Sequence, residues 1–113
     1  MARNRLPLDH YLADMVLMPA ADAAKHVEAL RITVFAPQFP QRAIAPELLV
    51  GEVPADHLRI SADQRRLEGY FSRLPPEKSL VRVRYGDSLE GEIASPFARE
   101  NVRRLPRDCG EGA

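Results

Sequence analysis

The chain has 113 residues, 45% of them hydrophobic and 28% charged, which suffices for one hydrophobic core and leaves no room for two. Sixteen Lys and Arg balance sixteen Asp and Glu, so the formal charge is zero and the pI lies near 6.8. That balance excludes the strongly basic profile of a nucleic-acid binder and implies no electrostatic partner.

A single cysteine, Cys109, excludes an intrachain disulfide, so stability has to come from packing. Near the start, Arg3 and Arg5 precede a partly apolar segment, but Asp9, His10 and Asp14 interrupt it. No signal-type apolar region results, and no run approaches the length of a membrane span. These features predict a soluble cytoplasmic protein without a membrane partner. Fourteen of the sixteen basic residues are Arg, a bias that reads as genomic base composition and not as a binding device.

Residues 1–29 admit two readings. Leu8, Leu12 and Met15 have helical spacing, whereas Tyr11 to Met18 closed by Pro19 also reads as a first strand, and Ala20 to Ala29 has high helix propensity. Ten prolines punctuate the chain and leave few windows for an uninterrupted helix. From Leu30 onward apolar residues recur with period two, which is the pattern of half-buried strands. Leu30, Ile32 and Val34 alternate with Arg31 and Thr33; Leu58 and Ile60 flank Arg59; Leu67, Gly69 and Phe71 alternate with Glu68 and Tyr70; Val81, Val83 and Tyr85 alternate with Arg82 and Arg84.

Cross-strand chemistry selects the registers. A three-residue loop, Gly86-Asp87-Ser88, sets Tyr85 against Leu89, Arg84 against Glu90, Val83 against Gly91, Arg82 against Glu92 and Val81 against Ile93. A two-residue loop would mix apolar and charged partners at every position. A four-residue loop over Ala62-Asp63-Gln64-Arg65 likewise sets Ile60 against Leu67, Arg59 against Glu68 and Leu58 against Gly69. At the far end, Ser95-Pro96 with Phe97, Asn101 and Leu105 predicts a short helix over 96–104, ended by Pro106. The expected organisation is a single domain over 1–106 with a flexible tail over 107–113.

The stretch from Leu30 to Ile93 resembles the IPT/TIG family of immunoglobulin-like domains. The residues that carry the resemblance are the strand Leu30 to Phe35, the segment Val50-Gly51-Glu52-Val53-Pro54-Ala55, the strand-turn-strand from Leu58 to Phe71, and Leu80 to Asp87. The resemblance implies a mainly β fold, an immunoglobulin-like antiparallel β-sandwich of about seven strands, with a short helical element near the N- and/or C-terminus. It also implies a non-catalytic binding or spacing module that presents loops and sheet faces to partners.

No motif assigns a reaction. His10, His26 and His57 lie at no zinc-ligand spacing from one another or from Cys109, so no metal is expected. None of the serines sits in a Gly-x-Ser-x-Gly elbow, and the six glycines form no phosphate-cradling loop, so neither nucleophilic catalysis nor a cofactor is expected. The most specific local signal is Pro37-Gln38-Phe39-Pro40-Gln41-Arg42, which fits the Pro-x-x-Pro-x-Arg pattern of an extended, preordered ligand ridge. Segment 36–46 with Pro37, Phe39, Pro40, Arg42 and Ile44, or else a strand edge, is therefore the expected contact with a protein partner or a second copy. In that reading Phe39 is partly exposed. The alternative is a small anionic or nucleic-acid ligand at the C-terminal arginines Arg99, Arg103, Arg104 and Arg107, a reading the balanced charge does not favour.

Overall fold

Strict alternation along Val81-Arg82-Val83-Arg84-Tyr85 demands an extended chain with one dry face. The computed structural model, which describes residues 4–19 and 26–104, places these residues in a strand with that burial pattern. Two five-stranded sheets hold about half of the described chain. In spatial order the first comprises β1 (Asn4–Arg5), β9 (Leu89–Ile93), β8 (Val81–Tyr85), β4 (Glu47–Val50) and β5 (Val53–Pro54). The second comprises β10 (Val102–Arg104), β2 (His10–Pro19), β3 (His26–Phe35), β7 (Arg66–Phe71) and β6 (His57–Ile60). β1 joins β9, and β10 joins β2, in parallel; every other pairing is antiparallel.

Both anticipated hairpin registers are present. Val81 pairs with Ile93, Val83 with Gly91 and Tyr85 with Leu89, while Ile60 pairs with Leu67 and Leu58 with Gly69. The charged faces are wired differently from the straight cross-strand pairs. Arg82 reaches diagonally to Glu90 at 3.4 Å and donates to the Gly51 carbonyl at 2.8 Å, and Arg84 turns to Glu47 on the neighbouring β4 at 2.9 Å. Such part-exposed pairs contribute little each.

The inward side chains of both sheets form one cluster. Leu30, Ile32, Val34, Leu67 and Phe71 from the second sheet meet Leu48, Val50, Val81, Val83 and Tyr85 from the first. Two glycines sit at close approaches. A Cβ on Gly69 would lie 2.4 Å from the Leu48 Cδ2, and one on Gly91 would lie 2.3 Å from the Leu6 carbonyl oxygen, where the chain crosses over β9. The chain changes sheets between β5 and β6. There Ala55 donates its N–H to Leu48 of the first sheet, and the next residue, Asp56, donates to Tyr70 of the second.

Three expectations need correction. Among the described residues there are ten strands where about seven were expected, and both sheets are mixed instead of purely antiparallel. The additional β1, β5 and β10 span two or three residues, too few to leave a period-two signature. In the N-terminal segment the strand reading holds, since β2 and β3 pair along ten residues from His10↔Phe35 to Pro19↔His26. The helix over 96–104 is absent. Phe97 is buried, and its backbone pairs with the loop before β8, accepting from Lys78 at 2.8 Å and donating to Ser79 at 2.8 Å. A single 3-10 turn follows at Arg99–Asn101, and then β10 adds to the edge of β2. An isolated helix of nine residues has little stability of its own, and here sheet pairing with burial of Phe97 prevails. The expected tail over 107–113 and Cys109 lie outside the described residues.

Candidate functional site

The proline-rich segment is strapped down. Ala36 donates its N–H to the Arg65 carbonyl at 3.0 Å, Phe39 donates to the Gln64 carbonyl at 2.7 Å, and the Gln38 amide donates to the Gln64 side chain at 2.8 Å. These bonds fasten residues 36–39 to the β6–β7 turn and swing the Phe39 ring inward, where it is 0% exposed. The expectation of a rim phenylalanine is therefore wrong. Proline stiffness holds the segment extended, and the turn supplies acceptors that fix it against the core.

The turn is itself built for this. The Ser61 hydroxyl donates to the Asp63 Oδ1 at 2.6 Å, Arg65 donates its N–H to the same oxygen at 3.1 Å, and Gln64 adopts a left-handed conformation with φ of 60°. That conformation aims the Gln64 and Arg65 carbonyls at the loop, at the cost of mild strain in a residue that is not glycine.

Beyond Phe39 the loop lifts away and leaves a cleft of about 520 Å³ between residues 39–46 and the end of β6. Phe39, Pro40, Pro46 and Ile60 form apolar walls, and Gln64 and Arg42 bring polar groups. Tyr85, at the end of β8, lines the cleft and is 1% exposed. Its hydroxyl is buried with no hydrogen-bond partner, alone in this among the side-chain polar atoms of the described residues. Burial pushes the phenol pKa up, and the nearby Arg42 guanidinium pulls against that rise. Arg42 is the one charged side chain lining the cleft. Its hydrogen bond to the Ser88 Oγ is long, at 3.4 Å. Ile44 and Ile60 stand at 58% and 38% exposure on this end of the molecule.

The sequence-derived candidates thus divide. Arg42 and Pro40 line the cleft, Ile44 is exposed, Pro37 is exposed at the strapped end, and Phe39 shows the cleft only part of its buried ring. Tyr85 was expected to face the core and does, yet period two alone gave no reason to count it as a site residue. A phenol has a polar tip that needs a partner when buried, and that was the available signal.

Of the C-terminal arginines, Arg99 and Arg103 lie on different elements. Arg99 lies in the 3-10 turn, where its side chain approaches Glu77 at 3.7 Å and its N–H donates to Glu77 at 2.7 Å. Arg103 sits on β10 in register with Asp14, whose carboxylate is held by Arg31 through bonds of 2.6 and 3.0 Å. Arg104 ends β10, and Arg107 lies outside the described residues. Among the described residues no three His, Cys, Asp or Glu side chains gather in a way that could hold a metal ion, and no helix is long and apolar enough to cross a membrane.

No family model matches this chain, and comparison with curated proteins and with solved structures finds no match.

Proposed function

We propose that this chain is a non-catalytic binding module, an immunoglobulin-like sandwich in type, that captures an extended segment of a partner protein in the cleft beneath loop 36–46. The observation that carries this reading is the pairing of a preformed apolar cleft with exposed Ile44 and Ile60 on the same end of the fold. Exposed large apolar side chains beside a concavity with a few polar groups are the usual make-up of a recognition site. The loop is already ordered by its bonds to Gln64 and Arg65, so docking against it carries a small ordering penalty. A cytoplasmic setting belongs to the same proposal and rests on composition. An anionic or nucleic-acid ligand at Arg99, Arg103, Arg104 and Arg107 has less support, because Arg99 is engaged by Glu77.

Selection from a displayed library of random peptides with free C-termini tests the reading. Enriched apolar peptides should bind the full chain and lose binding to Ile44→Asp and Ile60→Asp, with both variants keeping the thermal stability of the parent. Peptides that bind both variants as well as the parent would overturn the cleft as the site. Concentration-dependent dimerisation abolished by the same two substitutions would replace the partner segment with a second copy.

A further inference from the structure

We propose that the group recognised in this cleft is a carboxylate at the C-terminal end of the bound segment, held between the Tyr85 hydroxyl and the Arg42 guanidinium. The inference rests on the binding-module reading and deepens it by naming the ligand chemistry. It stands first on the Tyr85 hydroxyl, a buried donor without a hydrogen-bond partner among the described residues, on a side chain that lines the cleft. A buried polar group left without a partner is destabilising, and native folds keep few of them without a reason. Second, the single charge lining the cleft is positive, and among the described residues the Arg42 side chain is held by one long bond, the 3.4 Å contact with Ser88. The acidic residue nearest in sequence to the β6 end of the cleft, Asp63, is occupied by the Ser61 hydroxyl and the Arg65 N–H and does not line it.

The two donors select the ligand by elimination. A cationic group would meet Arg42 and be repelled. A neutral amide or hydroxyl would satisfy Tyr85 but leave the guanidinium unused. A phosphate dianion would bring two negative charges against half-apolar walls with the single positive charge of Arg42 to balance them. A carboxylate has two oxygens, one for each donor, and hydrogen bonds to charged acceptors are the stronger kind.

Position argues for a chain end. The floor is closed by Tyr85 and by Phe39, at 1% and 0% exposure, so a backbone passing through the cleft could not bring an acceptor down to the hydroxyl and leave again. Solvent does not reach the hydroxyl in the free fold. The wall must therefore give on binding, and Arg42 is the lining group with the weakest tether.

The experiment is a titration of the ¹⁵N-labelled full chain with two probes, N-acetyl-Val-Pro-Leu as the free acid and as its C-terminal amide, followed at the amides of Phe39, Arg42, Ser61 and Gln64. The acid should bind about tenfold more tightly than the amide, the difference expected for one added charge-assisted bond. Arg42→Gln should bring the acid-to-amide ratio close to one, and Tyr85→Phe should weaken binding of both probes without lowering folding stability, a combination that a purely structural role for these side chains would not produce. Equal binding of acid and amide at these residues overturns the carboxylate and leaves the cleft in place as a binding site. Absence of shifts from either probe up to about 10 mM overturns this inference too, while the peptide selection decides the wider reading on its own.

Discussion

Phe39 lies in a loop between two prolines, yet it fills space among side chains of both sheets and is fully enclosed. Replacing it with Ala removes a buried ring and leaves a cavity, so Phe39→Ala should lower the unfolding free energy by about 3–5 kcal/mol in urea titration. A loss under about 1 kcal/mol would place the ring at the rim. A second side chain, Asp63, contributes to the acid limb of stability. The Ser61 hydroxyl, followed by the Arg65 N–H, holds its carboxyl below the ordinary aspartate value, and the Ser72 hydroxyl and N–H do the same for Asp56. Because the folded value is the lower one, the ionised form favours the fold. Its contribution is complete above the unfolded pKa near 4 and is lost as pH falls through the folded value. Thermal melts taken downward from about pH 6 should therefore show the midpoint falling below about pH 4, and Asp63→Asn should make that fall shallower. An identical slope in the variant would mean that the turn does not depend on the ionised carboxylate.

At the scale of elements, a close approach between the sheets depends on a glycine. Gly69 of β7 faces Leu48 of β4, and a methyl group there would also meet the Ala55 Cβ at 3.0 Å. Gly69→Ala should cost about 1–3 kcal/mol from overpacking, and Leu48→Ala in the same chain should recover part of it. A double-mutant cycle checks this, with a coupling energy near zero contradicting direct opposition of the two strands. This contact marks where the sequence could and could not be read. The β6–β7 and β8–β9 hairpins were legible because each joins neighbours through a short loop, so alternation and charge pairing determine the register. The opposition of Gly69 and Leu48 brings together strands from different sheets, and no local pattern encodes it. The same limit hid the cleft. Tyr85 showed only as an inward position of β8, and the fate of Phe39 depended on carbonyls of a turn more than twenty residues away. Ser95-Pro96 carried a helix signal, which pairing of Phe97 with Lys78 and Ser79 overrode. The two-stranded arm formed where β2 and β3 outrun β7 and β10 was legible only as one of two readings, since helical spacing at Leu8, Leu12 and Met15 competed with a strand over Tyr11 to Met18.

The described molecule is elongated, 54 × 29 × 25 Å, and its two sheets enclose a single apolar cluster in which one polar atom stands out. The three segments that line the cleft, loop 39–46, the end of β6 and the end of β8, come from both sheets, so the cleft exists only in the assembled fold. An unsatisfied buried hydroxyl works against folding by about 1–3 kcal/mol, and such local conflict is what a fold tolerates where binding requires it. The unfolding free energy of Tyr85→Phe, measured without ligand beside the parent chain, tests this most directly. Phenylalanine keeps the ring and removes the unpartnered hydroxyl, so the variant should be as stable as the parent or more stable by about 1 kcal/mol. A loss of more than about 1 kcal/mol would show that the hydroxyl already has a bonding partner in the free fold, and the unpartnered donor on which the proposed site depends would not exist.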